Sequence, residues 1–251
     1  MKKSFFIFIS VLTVSVHFAN AGLILDLRTT SGGNSLALPS GCAGTVSLEL
    51  WGVVTGTDAF NTNDGIQSVY AWLVTDNHGI TGLTGFSATT SRAYGFTGTP
   101  NTEGTLVDNG GIMDLKGSTK TNTCIVRSKA GANIPQYTGL LEPGLPSEDY
   151  ISLANGAEFK LGTFYYGYSN IQGPGSAFIN CAVPTWASVL NKIATWGEDT
   201  TTSANNSASS TTDVGIGDGV SIVFLSPEPS VPILLGMGCL TLLAWRRRKR
   251  L

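Results

Sequence analysis

The sequence predicts an all-β fold, a single β-sandwich, and three observations support this prediction. Short apolar or alternating runs recur along residues 22–225, with turn signals such as SGGN, TNDG and DNHG between them. Glycine contributes 31 of the 251 residues, nearly twice its usual share of about 7%. Charged residues make up 13%, whereas roughly 25% is usual in soluble domains. Seven or more short strands at this spacing favour a sandwich.

Seven segments are predicted to be strands. The first, GLILDLR, alternates Leu23, Leu25 and Leu27 with Asp26 and Arg28. The second, TVSLELWGVV, alternates in the same way. The third, IQSVYAWLV, is apolar on both faces over most of its length, as expected of one central strand that is covered on both sides. The others are TCIVR, EFKLGTFYYGY, SAFINCAV and GVSIVFL.

Two further segments are not clear strands. PTWASVLNKIATW fits a helix, with Thr185 as an N-cap, and a strand equally well. The residues on one face of the helix would be Trp186, Val189, Leu190 and Ile193. The run 198–213 is polar and of low complexity, which predicts an exposed, mobile loop.

The first 21 residues have the three parts of a secretory signal peptide. Two lysines precede an apolar run, and Ala19 and Ala21 form an A-x-A-like cleavage site before Gly22. Residues 1–21 are therefore predicted to be removed on export, so that the mature chain begins at Gly22.

The C-terminal segment combines a short apolar run with a block of cations. Residues 231–245 carry no charge, and a helix of this length spans about 22 Å, less than the ~30 Å hydrocarbon core. The five cations that follow cannot enter a protein core and indicate a cytoplasmic stop-transfer flank. They are Arg246, Arg247, Arg248, Lys249 and Arg250. A transmembrane helix over about residues 230–245 is predicted, with the basic tail 246–250 in the cytoplasm and the N-terminal side outside it.

Three features at the chain end, in this order, resemble the PEP-CTERM sorting signal. They are Pro227-Glu228-Pro229, an apolar segment with two glycines, and RRRKR. Ser226 stands where that family more often has Val. The resemblance implies that residues 226–251 sort the exported protein, and that an exosortase, a bacterial membrane protease-transpeptidase, processes the chain near Pro-Glu-Pro. The prolines lack backbone donors and keep this segment extended and accessible.

A second resemblance concerns the ectodomain, residues 22–225. A strand followed by LPSGCAGTVSLELWGVV, a loop and DGIQSVYAWLV is similar to the opening of cohesin-like and carbohydrate-binding-module-like β-sandwiches. The resemblance covers the first strands only, and it implies a sandwich rather than a barrel.

The ectodomain is acidic. Of the 15 Lys and Arg residues, two lie in the predicted signal peptide and five in the basic tail, whereas only Glu228 of the 17 Asp and Glu residues lies outside the ectodomain. Eight cations against sixteen anions leave a net charge of −8. Such a surface repels phosphate backbones and excludes nucleic acid as a partner.

The cysteines allow two interpretations. Cys239 lies in the predicted membrane helix, so Cys42, Cys124 and Cys181 remain outside it, an odd number for an exported protein. Cys124 and Cys181 both lie in predicted strands and are the predicted disulfide pair. The alternative is that all three are small buried apolar residues. No C-x-x-C spacing is present, so neither a zinc site nor a redox site is predicted.

No catalytic residue, metal site or cofactor is predicted. His78 is the one histidine of the predicted mature chain, and it lies in the turn sequence DNHG. A Ser-His-Asp triad would need this residue as its base. The sequence also lacks G-x-S-x-G, H-E-x-x-H and Gly-rich phosphate-loop motifs.

Two groups of oxygen-bearing side chains are weaker alternatives. A glycosidase needs two acids about 5–10 Å apart, and LLEPGLPSEDY supplies Glu142, Glu148 and Asp149 beside prolines that are typical of solvated loops. The segment TDAFNTNDG departs from the EF-hand pattern at Phe60. A looser calcium site there would use Asp58, Asn61, Asn63 and Asp64.

An aromatic row offers a third alternative. FYYGY places Phe164, Tyr166 and Tyr168 on one face of a predicted strand and Tyr165 on the other. Rows of exposed aromatic rings stack on sugars in glycan-binding sandwiches. Core packing together with ordinary β-propensity is the favoured interpretation.

Together these features predict an exported, non-enzymatic protein of the cell surface or extracellular matrix, targeted through a PEP-CTERM signal. Its predicted partners are the membrane and an exosortase. The alternative is a surface-presented glycan-binding module that binds extracellular polysaccharide, and the third is a secreted hydrolase.

Overall fold

Strands account for almost all of the secondary structure. The structure, a computed structural model, describes residues 22–56, 64–76, 80–87, 91–92, 104–117, 125–127, 147–185, 193–198, 206–208 and 213–226. These ranges contain seventeen strands and one 3₁₀ helix of three residues, Ser147–Asp149. The prediction of an all-β fold is confirmed.

The strands are numbered in chain order. They are β1 Leu23–Thr29, β2 Ser35–Pro39, β3 Gly44–Thr55, β4 Gly65–Tyr70, β5 Trp72–Asp76, β6 Leu83–Phe86, β7 Ser91–Arg92, β8 Thr105–Asn109, β9 Ile112–Lys116, β10 Ile125–Arg127, β11 Tyr150–Leu153, β12 Gly156–Tyr168, β13 Gly175–Ala182, β14 Ala194–Gly197, β15 Asn206–Ala208, β16 Gly215–Ile216 and β17 Val220–Leu225.

Thirteen strands form one large curled sheet. Its main path runs β16-β1-β3-β12-β6-β9-β5-β13-β17-β2, while β7 and β11 pair with β12, and β8 pairs with β9. The sheet curls until β1 also contacts β13 and β17. At this closure the Cys181 thiol donates a hydrogen bond to the Leu25 carbonyl, 3.4 Å away. The curled arrangement matches a β-sandwich, as predicted.

A smaller sheet, in the order β10-β4-β14-β15, covers part of the inner face of the large one. The contact is closest where Ile66 of β4 lies against Gly52 of β3. A Cβ atom on Gly52 would overlap Ile66 Cδ1. Glycine therefore allows the two sheets to approach at this point.

The core follows the alternation seen in the sequence. Along β1, Leu23, Leu25 and Leu27 are fully buried and the residues between them are partly exposed. β3 buries Leu48 and Leu50 and turns Glu49 outward. These strands therefore confirm the predicted period of two. The largest fully buried side chains are Tyr166, Phe159, Phe224, Leu23, Leu25, Leu27, Leu48, Leu50, Ile66, Leu73 and Leu115.

The predicted third strand, IQSVYAWLV, is two strands in the structure. β4 belongs to the smaller sheet and β5 to the large one, with the buried Ala71 between them. Ile66 and Val69 enter the core from one sheet and Leu73 enters it from the other. The segment is apolar on both faces because it passes between sheets, so the prediction of one central strand was wrong.

Two other segments are partly described. The end of PTWASVLNKIATW is extended, since Ala194 and Trp196 belong to β14, and residues 186–192 lie outside the described part. Within the polar run 198–213, Asn206–Ala208 forms β15, and Ala208 pairs with Ala194 and is fully buried. This part of the run is therefore a strand, because it pairs with the edge of β14. Most of the rest of the run lies outside the described residues.

Both predicted targeting segments lie almost entirely beyond the described residues, which start at Gly22 and end at Ser226. Among the helices of the described part, none is long and apolar enough to cross a membrane.

Candidate functional site

The end of the last strand carries the junction with the predicted sorting motif. Leu225, the final residue of β17, pairs with Pro39 of β2. Its carbonyl accepts a hydrogen bond from the Ser40 amide, 2.9 Å away, and its side chain is 51% exposed. Ser226 alone separates this paired residue from Pro227. One residue thus links the folded domain to the predicted processing motif Pro227-Glu228-Pro229.

The start of the first strand lies at the predicted signal-peptide cleavage point. The Gly22 carbonyl accepts a hydrogen bond from the Thr55 amide, 3.0 Å away, and Leu23 pairs with Val54. On its other side Gly22 lies against the Glu198 carboxylate, because a Cβ atom on Gly22 would overlap Glu198 Oε1. Ala19 and Ala21 lie outside the described residues.

Gly22 and Leu225 lie at different ends of the strands. β1 runs parallel to β16, with Ile24 beside Gly215. Further along the chain, the Gly217 amide donates a hydrogen bond to the Leu25 carbonyl, and the Ser221 amide of β17 donates one to the Asn34 carbonyl, beyond the turn that follows β1. Leu225 therefore lies far along the strand direction from Gly22.

A layer of ion pairs covers the outer face of β1, β3 and β12, and we call it the charged layer. Its members are Asp26, Arg28, Glu49, Trp51, Asp149, Glu158 and Lys160. Arg28 Nε donates to Asp26 Oδ2 at 2.6 Å and Arg28 Nη1 to Glu158 Oε2 at 2.5 Å. Lys160 Nζ lies 2.6 Å from Asp149 Oδ1 and 3.3 Å from Glu49 Oε1.

Trp51 lies beneath the ion pairs of the charged layer. β3 lies between β1 and β12, so the Arg28–Glu158 ion pair spans β3 above Trp51. The Arg28 Cζ atom is 5.4 Å from the indole centroid, a cation–π contact. Trp51 Nε1 donates to Glu49 Oε2 at 3.1 Å, and the residue is only 5% exposed.

The charged layer shifts the pKa of both of its cations. Burial lowers the pKa of the Arg28 guanidinium, but the hydrogen bonds to Glu158 and Asp26 outweigh burial and raise it. Burial likewise lowers the pKa of Lys160, and its contacts with Asp149 and Glu49 raise it above its usual value. The acids of the layer are thus acceptors in a structural network, and this includes Asp149, one of the acids considered for a glycosidase.

Breaking one ion pair of the charged layer should destabilise the mature chain. We expect Arg28→Met to lower the free energy of unfolding by about 1–3 kcal/mol, because Glu158 and Asp26 lose the donors that compensate their partial burial. Glu158→Gln should cost less, and the double variant should cost less than the sum of the two. Urea unfolding measures all three, with the exposed Glu148→Gln as a control within ~0.5 kcal/mol. Strictly additive effects would contradict the coupling.

Cys181 is a buried free thiol, and Cys42 is an exposed one. Burial raises the pKa of the Cys181 thiol to about 12, with a smaller contribution from Asp26. A thiol of this kind is inert as a nucleophile. Cys124 lies outside the described residues, so the Cys124–Cys181 disulfide stays a prediction, although Cys181 is a free thiol in this structure.

The buried thiol predicts an alkaline loss of stability. Its folded pKa lies above the value of 9.0 expected when unfolded, so the unfolded chain releases the proton first. The contribution of this thiol to stability should be complete well below pH 9 and be lost as the pH rises from 9 towards about 12. The loss should be about 1 kcal/mol between pH 9 and 10, approaching about 1.4 kcal/mol per pH unit above that. Cys181→Ala should remove this slope, whereas Cys42→Ala should keep it. An unchanged slope in Cys181→Ala, or a Cys124–Cys181 bridge found by mass spectrometry, would refute the assignment.

The aromatic row of β12 is mainly core. Phe164 is 2% exposed and Tyr166 is fully buried, with its ring 5.1 Å from that of Phe86 in an edge-on arrangement. Tyr168 packs against Phe224 at 5.6 Å. The face of β12 that carries these three rings, considered above as a surface for stacking on sugars, points into the domain. The favoured interpretation, core packing, is therefore confirmed.

The remaining predicted site residues are not brought together by the described structure. His78, Glu142, Asp58, Asn61 and Asn63 lie outside the described residues. Asp64, which the looser calcium site would use, is 1% exposed, and Glu148 is exposed beside the ion-paired Asp149. Within the described ranges, no group of three or more His, Cys, Asp or Glu residues is placed to hold a metal ion.

One buried acid was missed by the sequence analysis. Asp114 of β9 is fully buried; it accepts a hydrogen bond from the Thr75 amide at 3.1 Å and pairs with Lys116 Nζ at 3.1 Å. It joins β5 to β9 where their ladder contains the single pair Leu73–Leu115. The only signal in the sequence is an acid two residues before a lysine in IMDLK, which is also common on exposed strands.

Comparison with known proteins gives only a coarse likeness of fold. No family model matches the chain, and no curated protein matches it in sequence. The chain is similar to a chain in the crystal structure of a CaDoc0917–CaCohA2 complex at pH 5.5, with a TM-score of 0.38 and 9% identity over 80% of this chain and 99% of the other. It is also similar to the solution structure of CaCohA2 from Clostridium acetobutylicum, with a TM-score of 0.33 and 9% identity over 82% and 92%. Likenesses at this level do not identify a family.

Proposed function

We propose that this chain is an exported, non-enzymatic protein of the cell surface or extracellular matrix, delivered and processed through a PEP-CTERM sorting signal. In this proposal the signal peptide 1–21 is removed on export. The helix at about 230–245 and the cations 246–250 then hold the chain in the membrane, with the ectodomain outside. An exosortase finally cleaves near Pro227-Glu228-Pro229.

One observation carries the proposal: the first and last described strands begin and end just inside the two predicted processing points. β1 begins one residue after Gly22, and β17 ends two residues before Pro227. Leu25 at the start and Phe224 at the end both belong to the core. Cleavage at either point would therefore leave every described strand and every described core side chain in the mature chain.

Two further features support parts of the proposal. Leu225, the last strand residue before the tail, lies at a different end of the strands from Gly22, which suits a domain presented on its C-terminal stalk. Asp149, one of the acids considered for a glycosidase, is engaged with Lys160, and this supports a non-enzymatic role.

The proposal is tested by the two termini of the exported protein. The full chain is expressed in a bacterium that contains an exosortase and in the same strain without it, and N-terminal sequencing and intact mass are measured. We expect Gly22 as the first residue in both strains, and loss of the tail near residues 227–229 only where the exosortase is present. Retained Met1, or a chain that ends at Leu251 in both strains, would overturn the proposal.

A further inference from the structure

We infer that removal of the signal peptide creates an ion pair within the domain, between the new α-ammonium group of Gly22 and the carboxylate of Glu198. The inference rests on the proposed cleavage between Ala21 and Gly22. Hydrolysis of that bond adds one water molecule, leaving a carboxylate on the released peptide and an α-ammonium group on Gly22. The new cation thus appears where the fold has already placed an acid.

The distance follows from the overlap at Gly22. A Cβ atom built on this residue would coincide with the Glu198 carboxylate group. The nitrogen and Cβ of one residue are two bonds apart, so a carboxylate oxygen at that position lies within about 4 Å of the Gly22 nitrogen. This is the range of an ion pair.

Both partners are held in place by other contacts. Trp196 Nε1 donates to Glu198 Oε1 at 2.7 Å, and Trp196 itself is 5% exposed in the core. The Gly22 carbonyl is held by the Thr55 amide. The ion pair would therefore form between two preorganised groups and lose little conformational entropy.

Cleavage changes the strength of this contact. Before cleavage, the Gly22 nitrogen is a neutral amide with at most one hydrogen to donate. After cleavage it carries a positive charge and three hydrogens, and a charge-assisted hydrogen bond is roughly twice as strong as a neutral one. Gly22 immediately precedes β1 of the large sheet and Glu198 follows β14 of the smaller one, so this ion pair links the two sheets only in the mature chain.

The test compares four forms of the mature protein, purified from exporting cells, with each N-terminus confirmed by sequencing. They are the wild type, Glu198→Gln, a form with one serine inserted between Ala21 and Gly22, and the combination of the two changes. The insertion moves the ammonium group away from Glu198 by one residue. We expect each single change to lower the Tm by about 2–4 °C, and the combination to lower it no further.

A second readout follows the amine itself. Labelling of the α-amino group by an amine-reactive ester at neutral pH should be about tenfold faster in Glu198→Gln than in the wild type, because the ion pair keeps the amine protonated. Glu148→Gln, which changes an exposed acid elsewhere, should label at the wild-type rate.

The outcomes separate this inference from the proposed function. If Gly22 is the first residue but melting and labelling are the same in all forms, or if the two changes are additive, the ion pair is refuted and the export proposal stands. If sequencing finds Met1 on the exported protein, the α-ammonium group never forms at Gly22. In that case both proposals fail.

Discussion

Replacing Glu228 with alanine is expected to leave the full-length mature chain, Gly22 to Leu251, in the membrane. Under the proposed function an enzyme reads the extended Pro-Glu-Pro segment, and Glu228 is its only charge. The junction is also short, since Leu225 is still held by the Ser40 amide. The enzyme must therefore recognise the motif itself rather than a long flexible linker. The measurement is the intact mass of the surface-exposed protein in an exosortase-containing bacterium.

The control for this variant is Glu148→Ala, which removes an exposed acid from the domain and should leave processing complete. The expected effect of Glu228→Ala is a nearly complete change of product, from a chain shortened near residues 227–229 to one that keeps its tail. If wild type and Glu228→Ala both keep the residues up to Leu251, the tail is a permanent anchor and the sorting interpretation is wrong.

Changing all five cations 246–250 to serine should give the opposite result. The apolar run 231–245 is marginally short for the hydrocarbon core, so under the proposed function retention depends on the cations as well as on hydrophobicity. We expect the chain to pass through the membrane and to be found in the medium with its tail. Membrane retention equal to that of the wild type would show that the apolar run is a sufficient anchor.

The sequence predicts the strands of this fold better than it predicts how they are joined. Alternation in β1 and β3 identifies their buried faces, because a strand with one buried face shows a period of two. The same rule fails at IQSVYAWLV. A crossing between two sheets and a strand covered on both sides give the same apolar pattern, and only the break between β4 and β5 at Ala71 distinguishes them.

The charged layer shows a second limit. Asp26, Arg28, Glu49, Glu158 and Lys160 each occupy the outward position that the alternation predicts, yet the sequence does not show that they meet. Their contacts depend on the β1–β3–β12 order, and β3 and β12 are separated by about a hundred residues of chain. Pairing over such separations is set by the whole fold rather than by local propensity.

Tyr166→Ala is expected to lower the free energy of unfolding of the mature chain by about 3–5 kcal/mol. Its ring is fully buried and packs edge-on against Phe86, so truncation removes apolar contacts and leaves a cavity in the core. Burial also raises the pKa of Tyr166 to about 12. Its hydroxyl lies near that of Thr75, but neither makes a hydrogen bond of ordinary geometry.

Because the ring of Tyr166 is buried and its hydroxyl has no hydrogen bond of ordinary geometry, Tyr166→Phe is the matched control. Phe keeps the ring and removes only a hydroxyl without a well-formed partner, so its stability should stay within about 1 kcal/mol of the wild type. Tyr165→Ala, on the partly exposed face of the same strand, should cost less than Tyr166→Ala.

Urea unfolding and a polysaccharide pull-down are measured on all three variants. A Tyr166→Ala chain that keeps its stability but loses polysaccharide binding would place Tyr166 on a sugar-binding surface. The buried geometry of β12 predicts the opposite, because a ring that fills the core is not available to stack on a glycan.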